Sequence, residues 1–278
     1  KNEVVHSVWA MWHQMQEGDF VQTYTEKGFR GNDKEWESMC IPFDEDAKIC
    51  LNGVIDRVDL CSLPGEELIK IIDYKSSDSQ DLLLAKVYYG LQMQLLTYLE
   101  AAKEMVEKEH KGKEAVPAAM LYYAIKEKNL DWKPESEEEY EKRVLDSMKC
   151  KGYVNEEPEI IGHLDKSVVN GGELIPGQKS GVVPVAVDKK GLLKKNSGTL
   201  STKDFETLIA HTKEKMKECG KAILDGKIEA IPYVYEDNDG CTYCPYGSVC
   251  GHESKKDGVR EMKKMSDDEV WEALYGDD

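Results

Sequence analysis

Leu51-Asn52-Gly53-Val54-Ile55-Asp56-Arg57-Val58-Asp59 and, a short way on, Ile69-Lys70-Ile71-Ile72-Asp73-Tyr74-Lys75 are the stretches on which the fold turns. Residues 48–61 and 67–76 read as two strands, because both are rich in β-branched residues and Leu63-Pro64-Gly65-Glu66 between them is a turn signal. A hairpin centred between Pro64 and Gly65 sets Asp56 opposite Asp73, Val58 opposite Ile71, Leu60 opposite Ile69 and Val54 opposite Lys75. Alternation puts these on one face, while the other face pairs Asp59 with Lys70, a favourable cross-strand charge pair.

That register brings two carboxylates to about 5 Å at their Cβ atoms, which is destabilising unless a cation lies between them. A hard divalent ion such as Mg²⁺ or Mn²⁺ takes carboxylate oxygens at about 2.0–2.1 Å and relieves the repulsion. Lys75, two residues beyond Asp73 on the same face, reaches the same space. A metal beside a lysine suits phosphodiester hydrolysis, with water activated and the phosphate polarised at the ion and charge neutralised by the ammonium. A one-residue bulge would break the register.

Around the hairpin, residues 3–17 have the spacing of an amphipathic helix, closed by Gly18. A polar stretch containing Glu26 and Phe29 follows. A long helix rich in Leu, Tyr and Gln is expected over 81–109, where Gln94 and Tyr98 share one face. Pro117 ends the next connection, and Ala118 to Ile125 reads as a buried strand. Residues 134–151 form a charged helix, and 152–200 an irregular, glycine-containing insertion with some strand. Ser201 and Asp204 open another helix in the manner of a capping box, and Gly226 closes it. A cysteine-bearing tail and a final acidic helix complete the chain. The expected organisation is a core over 1–230 and an extension over 231–278.

The sequence opens on Lys1 rather than Met and is read as a piece of a longer polypeptide. Its net charge of −17 argues against duplex binding by the whole surface, since phosphate attraction needs Lys and Arg. A local basic groove, a metal-bridged phosphate or a larger assembly stays open. No apolar run approaches the ~20 residues of a membrane span, and no secretion leader is visible. Eight cysteines without a leader indicate a reducing compartment, so the cytoplasm is expected. Cys40, Cys50, Cys61, Cys150 and Cys219 read as small buried hydrophobes. Cys241, Cys244 and Cys250 form a clustered C-x2-C-x5-C, a metal or cluster signature.

Taken together, Gly53-Val54-Ile55-Asp56-Arg57, Asp73-Tyr74-Lys75-Ser76 and Gln94-Leu95-Leu96-Thr97-Tyr98 resemble the two acidic motifs and the QxxxY motif of RecB-family PD-(D/E)XK nucleases. Tyr88-Tyr89-Gly90-Leu91-Gln92-Met93-Gln94-Leu95 and Cys241–Cys250 are similar, in order and spacing, to the C-terminal region of the AddB (RexB) family of helicase–nuclease subunits. The resemblance implies an α/β fold, a central mixed sheet flanked by helices with a C-terminal cysteine-containing extension. It implies Mg²⁺ bound by Asp56, Asp73 and the Tyr74 carbonyl, with Lys75 as catalytic lysine. Gln94 and Tyr98 would contact DNA or support the site, and Glu26 resembles a glutamate near it.

The activity implied is cleavage of single-stranded DNA in double-strand-break repair, beside an AddA-like helicase–nuclease subunit. The family's metal-binding histidine lies upstream of its first acidic motif; His6 and His13 do not match its surroundings and read as surface or core histidines. In that family a fourth cysteine, upstream of the nuclease core, completes a [4Fe–4S] cluster with the three that Cys241, Cys244 and Cys250 match. Without it, zinc or free thiols are the alternatives. Two rival functions are a DNA-end-binding module lacking catalysis and a free-standing RecB-like exonuclease. The sequence holds no phosphate-binding loop of the Walker type, so ATP-driven unwinding would come from elsewhere.

Overall fold

The two strands read from the sequence stand at the centre of a six-stranded sheet in the computed structural model, which describes residues 2–31, 36–76, 81–125, 136–253 and 258–276. The elements begin with α1 (Asn2–Gln16), β1 (Val21–Phe29) and a short ribbon of β2 (Met39–Pro42) and β3 (Lys48–Leu51). The central hairpin is β4 (Gly53–Ser62) and β5 (Glu66–Lys75), followed by α2 (Leu84–Tyr88), α3 (Gln94–Glu109) and β6 (Glu114–Ala124). Then come α4 (Glu137–Ser147), β7 (Lys151–Asn155), α5 (Pro158–Leu164), β8 (Val169–Asn170), β9 (Glu173–Leu174), β10 (Thr199–Leu200) and α6 (Thr202–Leu224). The tail carries β11 (Tyr233–Tyr235), β12 (Asn238–Asp239), α7 (Gly247–Cys250), β13 (Arg260–Met262) and α8 (Asp267–Tyr275).

By internal contacts the chain divides into two compact units. The first, residues 1–40, 50–82 and 93–210, holds the sheet in the order β1-β4-β5-β6-β7-β10. β4 runs antiparallel to β1 and β5, β6 is parallel to β5, and β7 returns antiparallel to β6, so the sheet is mixed and the fold α/β as expected. The hairpin register is the expected one for Val58–Ile71, Asp59–Lys70 and Leu60–Ile69, but the ladder ends at Arg57–Ile72, so the expected pairs Asp56–Asp73 and Val54–Lys75 are not part of it. β5 is buried along most of its length because helices cover both faces. On one face α3 packs Leu95, Leu96, Leu99, Ala102 and Val106 toward β5 and β6. The other face, with Leu68, Ile72, Leu121 and Tyr123, joins Ala10 of α1 in a continuous apolar core.

The Asp59–Lys70 pair is buried rather than solvated. Asp59 receives Arg57 through Nε at 2.7 Å and Nη2 at 2.8 Å, and Lys70 Nζ at 2.9 Å. Burial pushes the Asp59 carboxyl up, but Lys70 and Arg57 outweigh it and hold it below the usual carboxylate range.

The polar stretch after α1 is a strand, β1, whose side chains are exposed over most of its length as an edge strand allows. The expected helix over 81–109 is broken into α2 and α3: Gly90 has φ +76°, and Leu91 N–H turns back to the Lys86 carbonyl. β6 starts at Glu114 rather than after Pro117, because Pro117 sits at a register shift between Ile69 and Lys70 of β5, where a missing N–H is tolerated. The described part of the expected charged helix over 134–151 stops at Ser147, and residues 131–135 lie outside the described residues. Within 152–200, most of β7 and all of β10 belong to the main sheet rather than to an insertion.

Among the scattered cysteines, Cys61 and Cys150 are buried as expected, and Cys219 is exposed. Cys40 and Cys50 are not free hydrophobes but a disulfide across β2 and β3, with Cα atoms 4.1 Å apart, which runs against the reducing compartment expected from the cysteine usage. The Ser201–Asp204 capping box at the start of α6 is present in both directions, at 3.1 and 3.0 Å.

The second unit, residues 41–49, 83–92 and 211–278, is smaller. It holds the three-stranded sheet β12-β11-β13, and α8 packs on α2. Ser266 and Glu269 cap α8 reciprocally. No described helix is long and apolar enough to cross a membrane.

Candidate active site

The ladder between β4 and β5 pairs residues as far as Arg57 and Ile72 and then opens. At that point the Asp56 carboxylate accepts the backbone N–H of Tyr74 at 2.8 Å, replacing a strand-to-strand bond by a side-chain one. Asp56 thereby sits where the strands part, half-buried, with Asp73 on the neighbouring strand only 2 % exposed. Lys75 Nζ lies 2.6 Å from Asp73 Oδ2, yet that oxygen accepts no well-directed hydrogen bond. Burial raises the Asp73 carboxyl above the usual range; Lys75 pulls it down, and the Asp56 charge adds to the rise.

α3 supplies the other wall. Lys75 Nζ donates to Gln94 Oε1 at 3.1 Å, and Gln94 Nε2 donates to the Tyr98 hydroxyl at 3.0 Å. The Tyr98 ring meets Phe29 edge to face, with centroids 6.0 Å apart. Gly53 makes this possible: a Cβ there would lie 2.6 Å from the Phe29 ring and 3.4 Å from that of Tyr98. The structure thus joins Asp73, Lys75, Gln94 and Tyr98 in one chain of contacts, with Asp56 bound to the backbone of Tyr74, the residue between Asp73 and Lys75. It also adds a residue that the motifs omit. Tyr122 on β6 is the register partner of Asp73, and its ring centroid is 5.1 Å from Lys75 Nζ. Its position was not legible because parallel pairing of β5 and β6 is set by the long crossover through α3 rather than by a local turn.

Glu26 lies level with Asp56 on β1, between the pairs Thr25–Arg57 and Lys27–Ile55. Its φ of +47° is left-handed, a conformation that costs a non-glycine residue about 1 kcal/mol or more. Its side chain is exposed, and among the described residues no three His, Cys, Asp or Glu side chains stand close enough to hold a metal ion. Glu26 therefore does not join Asp56 and Asp73 as a third carboxylate here. His6 and His13 lie on α1, with His13 against the rings of Trp9 and Trp12. Cys241, Cys244 and Cys250 are exposed free thiols of the second unit and do not converge on a metal position.

A splayed acidic hairpin with a lysine two residues beyond the second acid, backed by a QxxxY helix, defines a nuclease core. A family model described as the PD-(D/E)XK nuclease superfamily matches residues 2–251, and the chain belongs to that superfamily. It is 34 % identical over 273 residues to a protein of Lachnoclostridium phytofermentans named as a subunit of an ATP-dependent helicase/deoxyribonuclease, covering 97 % of this chain and 22 % of that protein. Proteins of the same name from Clostridium kluyveri and from a Thermoanaerobacter species are each 32 % identical, over 278 and 272 residues, covering 99 % and 97 % of this chain. The chain spans less than a quarter of the length of these relatives.

Proposed function

We propose that the chain is the nuclease domain of an AddB-like helicase–nuclease subunit and cleaves single-stranded DNA ends with Mg²⁺ or Mn²⁺ during double-strand-break repair. An AddA-like subunit would be its partner, and the cytoplasm its location. The names of the relatives support the assembly and the deoxyribonucleic substrate. The observation that carries the chemistry is the contact chain Asp73–Lys75–Gln94–Tyr98 beside the Asp56 carboxylate.

The donor set fits a hard divalent cation. Asp73 Oδ2 is a buried anionic oxygen without a directed hydrogen bond, next to a second carboxylate whose charge raises its pKa. Asp56, Asp73 and the Tyr74 carbonyl would hold the ion, which when bound supplies Lewis acidity toward the phosphate and a more acidic water.

The chain's own residues do the rest. Asp56 fixes the Asp73–Tyr74 peptide by accepting the Tyr74 N–H. Lys75 presents an ammonium held from two sides, ready to neutralise charge that develops on the phosphate oxygens. Gln94 orients that ammonium and is itself fixed by Tyr98, whose ring is fixed by Phe29. A [4Fe–4S] cluster would belong to a longer protein in this reading: Cys241, Cys244 and Cys250 would be three of its ligands there, although in this structure they are free thiols that do not converge.

The test is calorimetric titration of Mn²⁺ into the chain and into Asp73→Asn, followed by cleavage of end-labelled single-stranded DNA. The reading expects a bound ion that Asp73→Asn weakens at least ten-fold, together with metal-dependent cutting. Equal binding by both proteins would refute the assigned ligands.

A further inference from the structure

The geometry points to Tyr122 as the residue that positions the Lys75 ammonium, through the face of its ring rather than through its hydroxyl. The inference rests on Lys75 being the lysine of the site, as proposed above.

Among the described residues, Lys75 Nζ has three neighbours of different kinds. Asp73 Oδ2 is 2.6 Å away, Gln94 Oε1 3.1 Å, and the centroid of the Tyr122 ring 5.1 Å. The last distance is inside the ~6 Å range in which an ammonium is attracted by the negative face of an aromatic ring. The lysine stem is flexible, with four rotatable carbons, so two polar anchors leave it room to swing. A ring surface beneath the nitrogen removes that freedom without consuming an N–H. The N–H groups not directed at Gln94 are then left for Asp73, phosphate or water.

Tyr122 is suited to that role by its own placement. It lies in the buried interior of β6, is 3 % exposed, and is level with Asp73 in the β5–β6 register. Its neighbour Tyr123 cannot substitute, because alternation sends it to the opposite face, where its hydroxyl donates to the Ser7 carbonyl at 3.1 Å. Only part of the Lys75 side chain meets solvent, 21 %, and partial desolvation strengthens a cation–ring contact.

Two readouts on the intact chain test this. The first is the proton shift of the Lys75 ε-methylene, assigned by its loss in Lys75→Arg. A ring beneath it moves that signal upfield in the wild type and in Tyr122→Phe, and Tyr122→Met returns it to the ordinary lysine position. The second is steady-state cleavage of end-labelled single-stranded DNA. Tyr122→Phe is expected to keep kcat within about three-fold, whereas Tyr122→Met loses about ten-fold in kcat with KM unchanged.

An unshifted ε-methylene in the folded wild type overturns the inference without any variant. So does a Tyr122→Phe as impaired as Tyr122→Met, because the hydroxyl would then be the operative group. If the ring-dependent shift is present and the wild type cuts no DNA, the placement of Lys75 by Tyr122 is upheld and the nuclease reading fails.

Discussion

The Asp56 carboxylate accepts the backbone N–H of Tyr74 at 2.8 Å, so the first acid of the proposed site also fastens the second strand where the hairpin opens. The two roles separate by substitution. Asp56→Asn keeps an acceptor for that N–H and is expected to unfold within about 0.5 kcal/mol of the wild type. Asp56→Ala leaves the N–H without its partner and is expected to lose about 1 kcal/mol. Both should abolish cleavage. Urea unfolding checks the first statement; equal losses for the two variants would mean that the bond contributes nothing to the hairpin.

Asp73, a residue of the proposed site, is held at a cost to the fold. Burial raises its carboxyl above the unfolded value, so it favours the folded state below the ordinary carboxylate range and loses that contribution as pH rises through the raised value. At neutral pH the ionised group therefore opposes folding. Asp73→Asn, measured without divalent metal, is expected to raise the thermal midpoint by about 2–4 °C while removing cleavage. A lowered midpoint would show that the Lys75 ion pair outweighs burial.

The opposite sign holds on the other face of the same hairpin. Asp59 carries Arg57 and Lys70 in the interior, and its depressed pKa contributes stability above the ordinary carboxylate range that is lost as pH falls through the depressed value. Asp59→Ala strands two buried cations and is expected to cost about 3–5 kcal/mol in urea unfolding at pH 7. A loss below about 1 kcal/mol would mean that Arg57 and Lys70 find water instead.

Gly53 lies under the Phe29 ring, with a built Cβ 2.6 Å from it. Phe29 is 1 % exposed and cannot swing away freely. Gly53→Ala is expected to destabilise by about 1–3 kcal/mol and to depress cleavage through Phe29 and Tyr98. Phe29→Leu in the Gly53→Ala background should restore part of the stability. A double variant no more stable than Gly53→Ala alone would place the strain elsewhere.

What the sequence disclosed depended on how local each signal was. The β4–β5 register was legible because Leu63-Pro64-Gly65-Glu66 closes the hairpin within a few residues and Val58, Leu60, Ile69 and Ile71 alternate. Gln94 and Tyr98 were legible because one turn of helix joins them. β1 was missed because an edge strand needs few apolar residues, and Val21 to Lys27 offers mostly polar ones. The break at Gly90 was hidden because Leu84, Val87, Leu91 and Leu95 on either side of it keep close to helical spacing. Tyr122 and the Cys40–Cys50 bond depend on strand pairings that composition does not report: a parallel crossover in one case, a short ribbon in the other.

The most direct measurement is cleavage of end-labelled single-stranded and duplex DNA by the chain with Mg²⁺ or Mn²⁺, beside Lys75→Ala and Asp73→Ala. The account expects metal-dependent cutting of single strands that a chelator stops and that either substitution reduces by at least a hundred-fold. Cutting that persists in both variants, or in chelator, would contradict it.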